Sequence, residues 1–254
     1  GRTIKAGGVG KCAPWGAQDA DIVYESLLWQ PGGTRYTFLF SDALAQERAV
    51  HTGPVRSARI GSMILNRAWG GGFIYTGMTF GERQYMDALP PNDRCYWCKL
   101  NSEKNDHREL KQRIQNVKAP DNYDVNVSGF QAVAAEHISP TPCALRFADE
   151  SPYGDGYQPA TRIWLDWGDK VCMSHFEYDA ESGLYQRYCG EKDGVPWASY
   201  ASPEDRDEAH MQLLTFRNVI VQRVEYSYLN DGPLCPIPES VGSGNADIFL
   251  NGRY

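Results

Sequence analysis

Two stretches of alternating apolar residues, 21 to 29 and 34 to 41, meet at Gln30-Pro31-Gly32-Gly33, and that turn chemistry commits the start of the chain to a β-hairpin. Ile22, Tyr24, Phe38 and Phe40 carry the alternation. Pro54 suits the first position of a helix that the pattern extends to about Trp69, with Ile60, Met63, Ile64 and Ala68 as its buried stripe. Gly70-Gly71-Gly72 should stop it. A short buried strand from Phe73 to Thr76 and a helix near 80 to 88 complete a strand, helix, strand rhythm.

Further on, residues 105 to 117 read as a polar helix and 127 to 137 as another helical segment. Pro140 and Pro142 then break the chain, and strands dominate at roughly 161 to 167, 170 to 178, 184 to 190, 217 to 228 and 246 to 250. The expected class is α+β, with a mixed sheet and packed helices in the first half and an antiparallel β-rich second half. The expected division is 1–148, carrying the Glu/Arg motifs, and 149–254, packed closely against it.

With 42% hydrophobic and 22% charged residues in 254, the chain is composed like an ordinary core-forming protein. Its formal net charge of -7 argues against an exposed nucleic-acid surface, which needs a dominant basic patch. No run approaches the roughly 18 to 20 apolar residues of a membrane span.

Against that acidic background, Glu25, Arg35, Arg56 and Arg59 gather one carboxylate and three guanidiniums in a short span. Arginine offers carboxylates and phosphates a fixed bidentate geometry and keeps its charge. If Arg56 and Arg59 sit in a first helical turn, the partial positive charge there opposes them, and such broken local rules concentrate at functional sites. Two readings stay open: a structural Glu-Arg network pinning helix to hairpin, and an anion-binding pocket. Ser57, between the two arginines, could be an activated hydroxyl or a plain surface serine.

Seven cysteines leave the redox compartment undecided. Cys95-Tyr96-Trp97-Cys98 has the spacing of a redox motif without its strand-to-helix setting, and no second pair completes a zinc site. Around Asp179-Ala180-Glu181-Ser182-Gly183, a four-residue loop over 179 to 182 would place Tyr178 opposite Gly183 and Cys172 opposite Cys189, within disulfide range. The alternative there is two buried thiols.

His51 reads as a capping or packing residue, and His107 has a carboxylate neighbour that could orient it as an acid or base. Glu136-His137 and His175 lack helical zinc spacing, so no metal is expected. Nucleophile-elbow, phosphate-loop and dinucleotide motifs are absent, and no cofactor is expected. Trp164, Trp167, Phe176, Tyr178, Tyr185 and Tyr188 read as sheet core, with a sugar-stacking or partner-binding face as the other possibility.

Ala20-Asp21-Ile22-Val23-Tyr24-Glu25, Gly32-Gly33-Thr34-Arg35 and Gly53-Pro54-Val55-Arg56-Ser57-Ala58-Arg59 together resemble the YerB-like family of bacterial proteins classed as lipoproteins, a domain of unknown function with N- and C-terminal family segments. Weaker matches continue through Tyr178-Asp179, Tyr185-Gln186-Arg187 and 218–222. The resemblance implies an extracytoplasmic, membrane-anchored ectodomain shown without its N-terminal anchor, a setting that permits a disulfide. Where the family shows a histidine after the first helix, this chain has Tyr75, which joins Ser57 among the binding candidates. The family's later proline-histidine element matches Asp106-His107 loosely.

The leading expectation is therefore a binding protein for an anionic cell-envelope component, a small molecule or cell-wall fragment, held by Arg35, Arg56 and Arg59 with Glu25 fixing their rotamers. One alternative is a hydrolase or transferase acting on cell-wall material, with Glu25 or His107 as acid or base. Another is a scaffold for a protein partner in which the cluster is purely structural. Nucleic acid is not an expected partner.

Overall fold

The computed structural model describes residues 4–5, 11–29, 33–90, 96–99, 107–115, 117–139, 141, 152–167, 173–189, 195–200, 211–229 and 236–254. The expected hairpin is present as strands Ile22–Trp29 and Gly33–Leu39, with Glu25 opposite Tyr36 and Ser26 opposite Arg35. Side chains alternate between the faces of such a ribbon, so its two sides meet different neighbours. Tyr36 and Phe38 pack with Trp197 and Leu214 of the second half. On the other side Tyr24 accepts a hydrogen bond from the Trp69 indole at 2.8 Å, and Thr37 meets Ser62 at 2.7 Å. The hairpin is thus a wall between the first helix and the C-terminal sheet.

The α+β expectation is overturned. The described chain is mostly strand, in several small sheets, with three short α-helices at Ile60–Trp69, Phe80–Asp87 and Val127–Ala134. Among the described residues no large mixed sheet carries them. Parallel pairing there is confined to Gly72–Tyr75 with Tyr96–Lys99 and to the contact of Cys12 with Ala198. The latter belongs to a four-stranded sheet built from both halves, because Lys11–Cys12 lies beside Ala198–Ser199.

Two helices differ from expectation for a common reason, that the backbone found partners across the chain. The first begins at Ile60, not Pro54, and follows a cis Gly53–Pro54 bond. Before it, Val55 N–H donates to Tyr123 O at 2.8 Å, Ala58 N–H to Gly77 O at 2.7 Å, and Arg56 O accepts from Thr76 N–H at 3.1 Å. With bonding partners on both sides, 54–58 has no need of helix. Its buried stripe is also rotated: Ile60, Met63, Leu65 and Asn66 face inward while Ala68 is exposed. Gly70 ends it as expected, in the left-handed conformation at φ 63°.

The supposed helix over 105–117 is, in its described part, a single 3-10 turn at Arg108–Leu110 and a strand Lys111–Arg113 paired with Tyr123–Asn126. Of its described residues, Leu110 and Ile114 are the buried apolar ones, too few for a helical stripe. Helix Val127–Ala134 stops short of 137; Asn126 caps it by accepting from Gly129 N–H at 2.8 Å. Phe130 and Ala134 then pack with Val50, Leu110 and Val125.

In the second half, Arg162–Leu165, Ser174–Asp179, Leu184–Cys189 and Val195–Pro196 form an antiparallel run. The hairpin register differs by two residues from the expected one. Gly183 sits at φ 71° inside the turn, where a left-handed conformation suits glycine, and Asp179 accepts from the N–H groups of Glu181 and Ser182. Asp179 therefore pairs with Leu184, Tyr178 with Tyr185, and Ser174 with Cys189. Asn218–Arg223 and Asn245–Leu250 form a separate ribbon, with Val219 in the core shared by Ile163, Phe176 and Tyr185. Among the described residues no helix is long and apolar enough to cross a membrane.

Candidate functional site

The charged cluster divides across the hairpin. Glu25 and Arg35 belong to cross-strand pairs one step apart, so they project from opposite faces. Glu25 points into the second half. There Arg187 Nη2 lies 3.1 and 2.9 Å from its two oxygens, and Thr34 Oγ1 donates to Oε1 at 2.8 Å. The same guanidinium donates to Tyr36 Oη at 3.1 Å, Ser174 Oγ at 2.7 Å and Cys189 Sγ at 2.9 Å. It also lies over Trp197, 3.9 Å from the ring centroid.

Arg187 is 3% exposed and Glu25 12%. Burial opposes the charge on Arg187, but Glu25, Tyr36 and Cys189 more than offset it, so its pKa is raised. Burial also pushes the Tyr36 hydroxyl well above its ordinary value, with Arg187 pulling the other way. The result is a guanidinium held by a carboxylate, a neutral phenol and a sulfur in a nearly dry setting. The sequence marks Arg187 only as part of the weak family match Tyr185-Gln186-Arg187; its pairing with Glu25 comes from a contact 162 positions away.

The other arginines gather around 54–59. Arg35 Nη1 donates to Ser57 O at 3.2 Å and Arg59 Nη1 to Ala58 O at 2.7 Å, so two guanidiniums hold consecutive carbonyls. Arg56 turns instead to Asp121, with which it is ion-paired, both side chains being 27% exposed. Arg59 also lies 3.1 Å from Glu82, whose side chain is fully buried. Glu82 serves the second helix as well, because Oε2 accepts from Thr79 N–H while Thr79 Oγ1 caps Glu82 N–H, which closes a capping box at Phe80–Asp87. Arg56 lies ahead of the helix and Arg59 is its N-cap residue, so neither sits in the first turn where the sequence pattern put them.

Tyr75 is 5% exposed, stacked on Phe73 at 5.5 Å and packed with Ala58 and Met63, which makes it a core residue under the segment. Ser57 contributes its backbone carbonyl to Arg35. His107 lies 3.6 Å from Glu109, in a different part of the chain from Glu25. The register removes the geometric ground for joining Cys172 to Cys189, since Ser174 takes the opposing position. Cys172 itself, like Cys95, lies outside the described residues.

Sequence reasoning also passed over Asp124. Its fully buried carboxylate accepts from Trp15 Nε1 at 2.7 Å and Gln112 Nε2 at 3.0 Å, and lies 2.7 Å from His51 Nδ1. His51 is thus oriented by a carboxylate, as an imidazole in a cap or packing role need not be. Its partner lies 73 positions away.

The fold and this pattern of internal arginine pairs define a β-rich protein whose two halves are locked across one hairpin. The chain belongs to the family described as "Protein of unknown function (DUF3048) N-terminal domain", which matches residues 11–139. The crystal structure of the YerB protein from Bacillus subtilis has a similar fold: TM-score 0.68 at 18% identity, covering 94% of this chain and 73% of that one. No curated protein matches the chain.

Proposed function

We propose that this chain is a binding module from an exported, membrane-anchored lipoprotein, and that it recognises an anionic envelope component through the arginines around 54–59. The observation that supports this is the placement of Arg35 and Arg59 on consecutive carbonyls of one segment, with Arg56 of the same segment in a partly exposed pair with Asp121. An anion that met Arg56 would compete only with the Asp121 carboxylate, in a partly solvated setting where such pairs are weak. Catalysis by Glu25 draws no support, since a carboxylate clasped by Arg187 and Thr34 is poorly placed to exchange a proton with substrate.

A second reading is favoured by the Arg59–Glu82 and Glu25–Arg187 pairs, which are internal and largely buried: the cluster is a structural frame, and the partner is a protein that binds elsewhere. A thermal-shift screen against inorganic phosphate, sugar phosphates and muramyl peptides, on the native chain and on Arg56→Ala, separates the two. Ligand that binds only the folded state must raise its stability. Stabilisation of the native chain that weakens in Arg56→Ala supports the anion site; no stabilisation by any of these anions supports the frame.

A further inference from the structure

The face of the C-terminal sheet opposite the Ile163, Phe176 and Tyr185 core carries a column of rings that neither the arginine cluster nor the Glu25–Arg187 pair uses. Trp164 lies opposite His175 on the adjacent strand, and His175 opposite Tyr188 on the next. Their rings stack almost parallel, Trp164 on His175 at 4.2 Å and 22°, His175 on Tyr188 at 4.7 Å and 5°. Cross-strand partners share a face, so the three rings stand as one column across the strands.

The two ends of the column differ. Tyr188 has Pro196 as its next register partner. Trp164 lies on Arg162–Leu165, which among the described residues pairs only with Ser174–Asp179, so the indole stands at a sheet edge and is 38% exposed. One indole face is held against His175, and the edge position leaves the opposite face as the one open to a ligand among the described residues. His175 inside the column is 1% exposed, and its Nδ1 has no hydrogen-bond partner among the described residues. Burial lowers its pKa despite Glu177 3.5 Å from Nε2, so the ring backing the indole is neutral. Trp164 is thereby backed on one face by a buried, uncharged ring.

On the same face, Arg162 and Glu177 are register partners and form an ion pair, with the Arg162 guanidinium over the Trp164 ring, 5.8 Å from its centroid. Their charges balance, which disfavours a net anion as the natural occupant. An apolar strand docked over this edge would bury a charge pair, and the desolvation would oppose it. A hydroxyl-rich ring suits both parts: its C–H face lies on the indole, and its hydroxyls donate to Glu177 and accept from Arg162.

We propose that Trp164, Arg162 and Glu177 form a saccharide subsite that takes a neutral pyranose ring stacked on the outer face of the indole. The proposal does not depend on the anion site, from which it differs in location and in ligand charge.

The test is an NMR titration of the native chain with N-acetylglucosamine tetramer and with cellotetraose, following the indole N–H signals of its seven tryptophans. Saturable movement of the signal assigned to Trp164, with the others unmoved, is expected from at least one of the two. Trp164→Ala should weaken binding about tenfold or more by calorimetry, the scale of a lost aromatic contact. Glu177→Gln leaves the ring column in place and should weaken binding several-fold. No saturable movement with either oligosaccharide, or affinity unchanged in Glu177→Gln and in a folded Trp164→Ala, overturns the subsite.

Discussion

Arg187 and Glu25 are 162 positions apart, yet a guanidinium nitrogen of one lies 2.9 Å from a carboxylate oxygen of the other, across the contact between hairpin and C-terminal sheet. With Arg187 3% and Glu25 12% exposed, water is a poor substitute for either partner. Removing one member strands the other. We expect Arg187→Ala to cost about 3 to 5 kcal/mol in urea unfolding, while a Glu25→Gln, Arg187→Met double variant recovers part of that loss. A loss near zero in the single variant would show that the halves are not joined through this pair.

Asp124 anchors three separate segments at Trp15, His51 and Gln112. Asp124→Ala leaves those donors facing a cavity, each buried unsatisfied donor costing about 1 to 3 kcal/mol. Asp124→Asn keeps the shape but turns an N–H₂ group toward at least one donor, so it too should be destabilising, though less. Thermal unfolding ranks the two; an Asn variant as stable as the native chain would show that the fold does not need the carboxylate's charge.

Local pattern revealed the hairpin at 22–39, the glycine stop after Trp69, the short strand at 72–75 and the longer C-terminal strands at 162–165, 174–179, 184–189, 218–223 and 245–250, because each rests on alternation or turn chemistry within a few residues, whereas most of the two- and three-residue C-terminal strands gave no such signal. Where the chain bonds to distant backbone, pattern misled. Pro54 read as a helix start, but 54–58 found Tyr123 and Gly77, and Lys111–Arg113 found Tyr123–Asn126. The candidate site shows the same limit. Arg35, Arg56, Ser57 and Arg59 were legible as a group, whereas their counter-charges Glu82 and Asp121, and the Arg187 that claims Glu25, are supplied by topology. The two-residue register error came from counting Gly183 as a strand residue, when its φ of 71° places it in the turn.

Arg56 and Arg59 should separate cleanly on mutation, although they lie three residues apart. Arg59→Ala strands the fully buried Glu82 and loosens the capping box, so a loss of about 3 kcal/mol or more is expected. Arg56→Ala removes a pair whose members are both 27% exposed, and a loss below about 1 kcal/mol follows. Denaturant melts of the two variants decide it. Equal losses would mean that exposure is a poor guide to the role of each arginine here.

His175 gives the fold a defined response to acid. Burial lowers its pKa below the ordinary 6.5, so between the folded value and 6.5 the unfolded chain binds the extra proton and the folded chain does not. Stability contributed by the neutral ring is fully present above 6.5, falls as the pH drops through 6.5, and levels off once the pH is below the folded value. Trp164 and Tyr188 on its two faces leave no room for a solvated imidazolium, while Glu177 partly offsets the cost. His175→Phe keeps the ring stack and removes the proton site. The native chain should therefore lose stability relative to His175→Phe as the pH is lowered from neutral toward about 5, measured by urea midpoints at matched ionic strength. Parallel pH profiles for the two proteins would exclude His175 as the source of the acid sensitivity.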